Sequence, residues 1–131
     1  MGMAVELKLL GVAVIIGLVT LLWSTVAARR VQSLKWAAGP RDEAMPTPGA
    51  AGRLGRAYAN FMETFPLHAI AVVTAYLAGK LGDLTLWGSA AYVIGRALHP
   101  VFYVFAVPLV RTLVWFVAFA GTLVVVAAIF L

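Results

Sequence analysis

Arg56, Asn60 and Glu63 follow one another at spacings of four and three residues, and Arg96, His99 and Tyr103 at three and four. Arg111 stands beside Thr112 a short way further on. Residues at such spacings share one side of a helix. Guanidinium, amide, carboxylate, imidazole and phenol groups on facing stripes can hold a charged ligand and polarise it. The same groups can also do no more than clamp helices together. Their surroundings decide how much they mean, because each stripe interrupts a long apolar run.

The chain has 131 residues, 63% hydrophobic and 11% charged. Ordinary soluble domains are about 45–50% apolar, and a single domain of this length has no interior large enough for such an excess. Four apolar runs are legible: 9–28, 61–79, 84–107 and 112–131. Each approaches the roughly 20 residues that a spanning helix needs, and a segment that crosses lipid alone must be helical. The expected architecture is an all-α integral membrane protein, a bundle of four transmembrane helices in one domain. Helices are expected over residues 5–33, 53–80, 84–107 and 110–131, with a connection over 34–52. The first run exceeds the about 7–15 residues of a signal peptide's apolar region, and Arg29 and Arg30 follow it. A retained helix is therefore expected. There is no cysteine, so no disulfide and no thiolate metal site is expected, and any thiol chemistry must arrive with a ligand.

The net charge is +5, and the first connection carries most of it. Arg29, Arg30, Lys35, Arg41, Arg53 and Arg56 there face only Asp42 and Glu43. Basic residues collect on the cytoplasmic side, which puts this loop in the cytoplasm and both termini opposite. Topology accounts for the charge without nucleic acid, since Trp36 is the loop's one aromatic residue between 34 and 52. Its Gly-, Pro- and Ala-rich stretch "AAGPRDEAMPTPGAAGRLG" reads as an irregular segment.

With that orientation, the second helix starts at the cytoplasmic face and the third descends toward it. Arg56, Asn60, Glu63, Arg96, His99, Tyr103 and Arg111 then reach one depth from three helices. A charge at mid-membrane costs about 2.5–3.5 kcal/mol on insertion scales and usually faces a bundle interior. Glu63 and Arg96 have opposite charge, so a direct pair is expected between them. A clamp needs two groups; this cluster has more, which favours a functional site. His68 is expected to be satisfied by a backbone carbonyl. Pro66 and Pro108 are expected to kink or end helices. Trp23, Trp87 and Trp115 suit the interfacial aromatic belt. Gly17 and Gly121 offer no usable packing signal.

These motifs carry a family resemblance. "RAYANFMETFP" (56–66) resembles the second-helix signature of the membrane-associated proteins in eicosanoid and glutathione metabolism, the MAPEG family. "RALHPVFY" (96–103) resembles its third-helix pattern, and "PLVRTLVWF" (108–116) is similar to the segment bearing its catalytic-site arginine. The likeness covers essentially the whole chain. It implies a homotrimer of four-helix subunits in contact with lipid, probing a lipophilic small-molecule substrate with glutathione bound between subunits near the cytoplasmic face. The cytoplasmic placement of the basic loop suggests a bacterial inner membrane, with an organelle membrane as the alternative.

The resemblance also implies roles. The attacking species is a thiolate, which a nearby cation favours; that cation is Arg111, with Thr112 hydrogen-bonding the sulfur. Arg30, Arg56 and Arg96 take the carboxylates of glutathione, Glu63 its ammonium and Asn60 its backbone, while His99 and Tyr103 line the pocket. Ala59 and Trp115 depart from relatives that carry arginine and tyrosine there. The implied activity is a glutathione-dependent transferase or peroxidase for lipophilic electrophiles. A small four-helix transporter and a non-catalytic lipid-binding member of the same fold stay open as alternatives.

Overall fold

The computed structural model describes residues 2–131, and among these it contains helices and no strands. They are α1 (Val5–Val31), α2 (Leu34–Ala38), α3 (Gly49–Leu77), α4 (Asp83–Val104) and α5 (Pro108–Phe130). The four long helices run alternately up and down. The start of α1 meets the start of α4, where the Thr85 hydroxyl lies 2.7 Å from Glu6 Oε1. The end of α3 packs on the same region through Ala71, Val72 and Ala75. α5 returns alongside α4 and reaches α3 through Thr122 and His68.

The bundle buries polar and charged side chains among small apolar ones and exposes large apolar ones. Arg96, Tyr92, His68, Thr85 and Ser89 are among its largest fully buried side chains. Leu18, Leu22, Ile70, Leu77 and Phe116 are exposed on its surface. Water would reverse that distribution and lipid does not. α1 and α5 are each long and apolar enough to cross a membrane. α4 buries Thr85, Ser89, Tyr92, Arg96 and His99, spaced four, three, four and three residues apart. That is the seam spacing of helices packed side by side.

α4 and α5 touch backbone to backbone. A Cβ placed on Gly88 would lie 2.6 Å from the Gly121 carbonyl and 2.9 Å from Val125 Cγ2, and one on Gly95 would lie 2.6 Å from the Val114 carbonyl. Gly121 thus carries a packing role that a lone glycine did not advertise: its partners sit on another helix, where small residues let helices approach closely. Pro66 lies inside α3, which continues through it, whereas Pro108 starts α5 at a position where a missing N–H costs nothing.

The connection after α1 is better ordered than its composition suggests. Ser33 caps α2 by accepting the Trp36 N–H at 3.1 Å, and the Trp36 indole N–H donates to the Glu43 carbonyl at 2.7 Å. Gln32 Nε2 reaches Thr47 Oγ1 at 2.8 Å, closing the loop onto the start of α3. Of the stretch 37–55 read as irregular, residues 39–48 are without regular structure, while α2 ends at Ala38 and α3 already begins at Gly49.

Candidate functional site

α3, α4 and α5 supply the polar stripes, and they meet at the end of the bundle where α3 and α5 begin and α4 stops. Asn60, His99, Tyr103, Arg111, Thr112 and Trp115 line a cavity of about 210 Å³. Arg53, Arg56, Tyr103, Ala106, Pro108 and Arg111 line a neighbouring one of about 220 Å³. Tyr103 and Arg111 belong to both, so together they form the wall between them. The Arg111 guanidinium lies 4.7 Å from the Tyr103 ring centroid, and the His99 ring meets Tyr103 edge-on at 5.5 Å. No carboxylate lines either cavity. The site is therefore rich in donors and positive charge.

Arg96 sits just behind this wall and is 1% exposed. Its Nη1 donates to Asn60 Oδ1 at 2.9 Å, and its guanidinium lies 5.4 Å from the Phe61 ring centroid. Its Nε and Nη2 have no partner. The expected Glu63–Arg96 pair is thus corrected: the partner is Asn60. The reason is angular. Glu63 stands three residues beyond Asn60, about 60° around the helix at 3.6 residues per turn, and that turn carries it to the exposed surface of the chain. Arg96 lines neither cavity, so it reaches them only through Asn60.

Of the nine residues singled out in the sequence, Arg56, Asn60, His99, Tyr103, Arg111 and Thr112 come together. Glu63 and Arg30 do not join them within one chain. Arg30 is exposed and lines a separate hollow with Trp23, Val26 and Pro48. Its neighbour Arg29 faces the larger basic cavity of about 700 Å³ between α1, α2 and α3, to which Arg41 and Arg56 also contribute. Arg56 lines this cavity and the 220 Å³ one, so it stands where they approach each other.

Two contributors stand outside those nine. Arg53 lies one turn before Arg56, and its Nε donates to the Val104 carbonyl at the C-terminal end of α4 at 3.0 Å; its i, i+3 spacing to Arg56 was the available signal. Trp115, expected in the interfacial belt, also lines the smaller cavity. It is four residues after Arg111 and therefore shares its face, stacking on Phe119 at 5.2 Å. Thr112 spends its hydroxyl proton on the Pro108 carbonyl at 2.9 Å. His68 is also corrected: it pairs with the Thr122 hydroxyl at 2.9 Å rather than with a carbonyl, and stacks on Tyr92 at 3.8 Å. This pair lies deeper in the bundle and lines neither cavity.

An apolar-surfaced helical bundle with a donor-rich polar cavity at one end has the form of a membrane protein. The family model for the MAPEG family matches residues 9–131, nearly the entire length, and the chain belongs to that family. Its members include glutathione transferases and peroxidases as well as non-catalytic proteins. No curated protein and no solved structure matches the chain.

Proposed function

We propose that the protein is a glutathione-dependent transferase or peroxidase for lipophilic electrophiles, with the thiolate held by Arg111. One observation carries this reading: Arg111, Asn60, His99 and Tyr103 surround a cavity that no carboxylate lines, so the arginine there has no negative partner within the site. A guanidinium left without a carboxylate favours an anionic partner, so a ligand bearing negative charge fits the site.

Glutathione carries two carboxylates and a thiol whose reference pKa is about 8.5. Arg53 and Arg56 suit a carboxylate, since a guanidinium fork matches its geometry. Asn60 presents its amide to the peptide with Arg96 holding its oxygen. Arg111 favours the thiolate: the thiol proton leaves to water and the negative sulfur stays beside the guanidinium. That sulfur then bonds to the electrophilic carbon while the leaving group departs with its electron pair. The apolar outer surface brings the electrophile through the bilayer.

The finer architecture belongs to the same proposal: four spanning helices, the α1–α3 connection in the cytoplasm, both termini opposite, and residence in a bacterial inner membrane. The reading includes a homotrimer; what supports it is Glu63, exposed on a surface where a bare carboxylate is costly in lipid and a neighbouring subunit would cover it. The transporter alternative needs an acid facing a path. Glu6 is buried in α1, but it is engaged by Thr85 at the opposite end of the bundle.

The test is ultraviolet absorbance of thiolate on adding glutathione to the purified protein, followed by turnover of a generic electrophile. Arg111→Ala is expected to abolish the thiolate signal and lower turnover by about 10²–10³, as loss of one preorganised electrostatic group does. Turnover that survives Arg111→Ala unchanged would remove the role given to Arg111.

A further inference from the structure

The basic cavity of about 700 Å³ between α1, α2 and α3 is lined by no carboxylate. Arg29, Arg41 and Arg56 stand along it, and small residues such as Ala28, Gly52, Gly55 and Ala59 wall it. Ser24 and Thr25 also line it, five and four residues before Arg29. At the helical rise per residue, the hollow runs about 6–8 Å along α1 from that arginine toward mid-bundle. Leu22 and Val26 are exposed on the same stretch of α1. Positive charge at the rim, small walls beneath it and an apolar surface alongside are the complement of an amphiphile with an anionic head.

The rim is set in place before any ligand arrives. Arg41 holds a backbone φ of +59°, which residues with side chains rarely adopt. Its Nε and Nη2 both donate to the Ala37 carbonyl, at 3.0 and 2.8 Å, and its guanidinium lies 5.4 Å from the Trp36 ring centroid. Asp42 and Glu43 follow it in sequence but line a separate hollow on its other side. Gly52 has no side chain where the Thr47 carbonyl lies against it, and Gln32 holds Thr47 Oγ1 at 2.8 Å. The connection is thereby fastened against the start of α3.

We propose that this cavity binds the phosphate of an anionic phospholipid, with the head at the arginine rim, the glycerol in the small-walled hollow and the chains along α1. The guanidinium fork suits phosphate oxygens. The hollow and the apolar flank select a lipid over a free phosphate. The 210 Å³ cavity assigned to the thiol shares no lining residue with this one, so the two ligands bind independently. Arg29 and Arg41 carry the site without Arg56, which also borders the 220 Å³ cavity. A lipid so held ties the α1–α3 connection to the membrane surface.

The test is native mass spectrometry of the full-length protein, delipidated in detergent and titrated with phosphatidylglycerol, phosphatidylcholine of the same chains, or glycerol phosphate. One basic residue near an anionic membrane surface is worth about fivefold in attraction, so two arginines set the expected preference for phosphatidylglycerol over phosphatidylcholine at about 25-fold. Glycerol phosphate, the same head without chains, is expected to bind far more weakly. Arg41→Gln is expected to lower phosphatidylglycerol affinity about fivefold, and Lys35→Gln, exposed on α2 but outside the cavity, by no more than about twofold. A Cβ on Gly55 meets nothing within 4 Å, so Gly55→Leu is expected to fill the hollow, keep the fold and remove the preference. Equal losses in Arg41→Gln and Lys35→Gln would mean diffuse charge attraction and overturn the proposal. Equal binding of the two lipids, glycerol phosphate binding as tightly as the lipid, or displacement of the lipid by glutathione would each overturn it too. If a variant does not fold, the wild-type comparison of the three ligands still decides it.

Discussion

Asn60 and Arg96 offer the sharpest test of how the site is held. Arg96 is 1% exposed, and its single hydrogen bond, 2.9 Å to Asn60 Oδ1, is the one neutral oxygen answering a buried guanidinium. Hydrogen bonds to charged groups contribute about 1.5–3 kcal/mol. In Asn60→Leu the guanidinium keeps its charge and its contact with the Phe61 ring but loses that oxygen, so the cost is expected to reach about 3 kcal/mol, near the lower end for breaking a buried charged pair. In Arg96→Met the burden is lighter. Asn60 is only half-buried and borders the cavity, so water can satisfy its oxygen, and a cost of about 1 kcal/mol is expected. The double variant removes both members. With no buried charge left behind it should cost little more than Arg96→Met alone, which makes the two changes non-additive by about 2–3 kcal/mol. Unfolding in a denaturing-detergent titration of all four proteins measures this cycle. Additive costs within about 0.5 kcal/mol would refute the coupling, and with it the idea that Arg96 serves the cavity through Asn60.

Two further outcomes follow from the packing. Gly88→Val puts a branched side chain against the Gly121 carbonyl and is expected to cost about 3 kcal/mol in the same titration, while Gly11→Ala, which meets nothing within 4 Å, should be neutral or slightly stabilising; equal effects would argue against the close α4–α5 contact. His68→Phe keeps the stack on Tyr92 and loses the Thr122 bond, so it should lower stability by about 1–2 kcal/mol and leave glutathione-dependent thiolate absorbance intact; lost absorbance would show that the deeper pair reaches the site.

Much of this molecule is legible one residue at a time. Composition and the length of the apolar runs point to helices and to a lipid environment, because hydrogen-bond saturation in lipid permits little else. The motifs around Asn60, His99 and Arg111 point to a polar site, because spacing within one helix settles which side chains share a face. Short-range bonds were harder to read. The Ser33 cap and the Trp36 indole order a loop whose glycines and prolines suggest none.

Which face meets which neighbour is a different kind of question. Rotation about a helix axis is set by packing over its whole length, and residue spacing is silent on it. That rotation turned Asn60 rather than Glu63 toward Arg96, set Trp115 in a cavity wall, and brought Gly88 against Gly121 from helices whose glycines are 33 residues apart. The sequence by itself determined that a positively charged, membrane-embedded helical protein would carry a polar site. Only the tertiary structure decided which donors were left free to face it, since a hydrogen bond such as that of Thr112 is spent or spare only once every neighbour is in place.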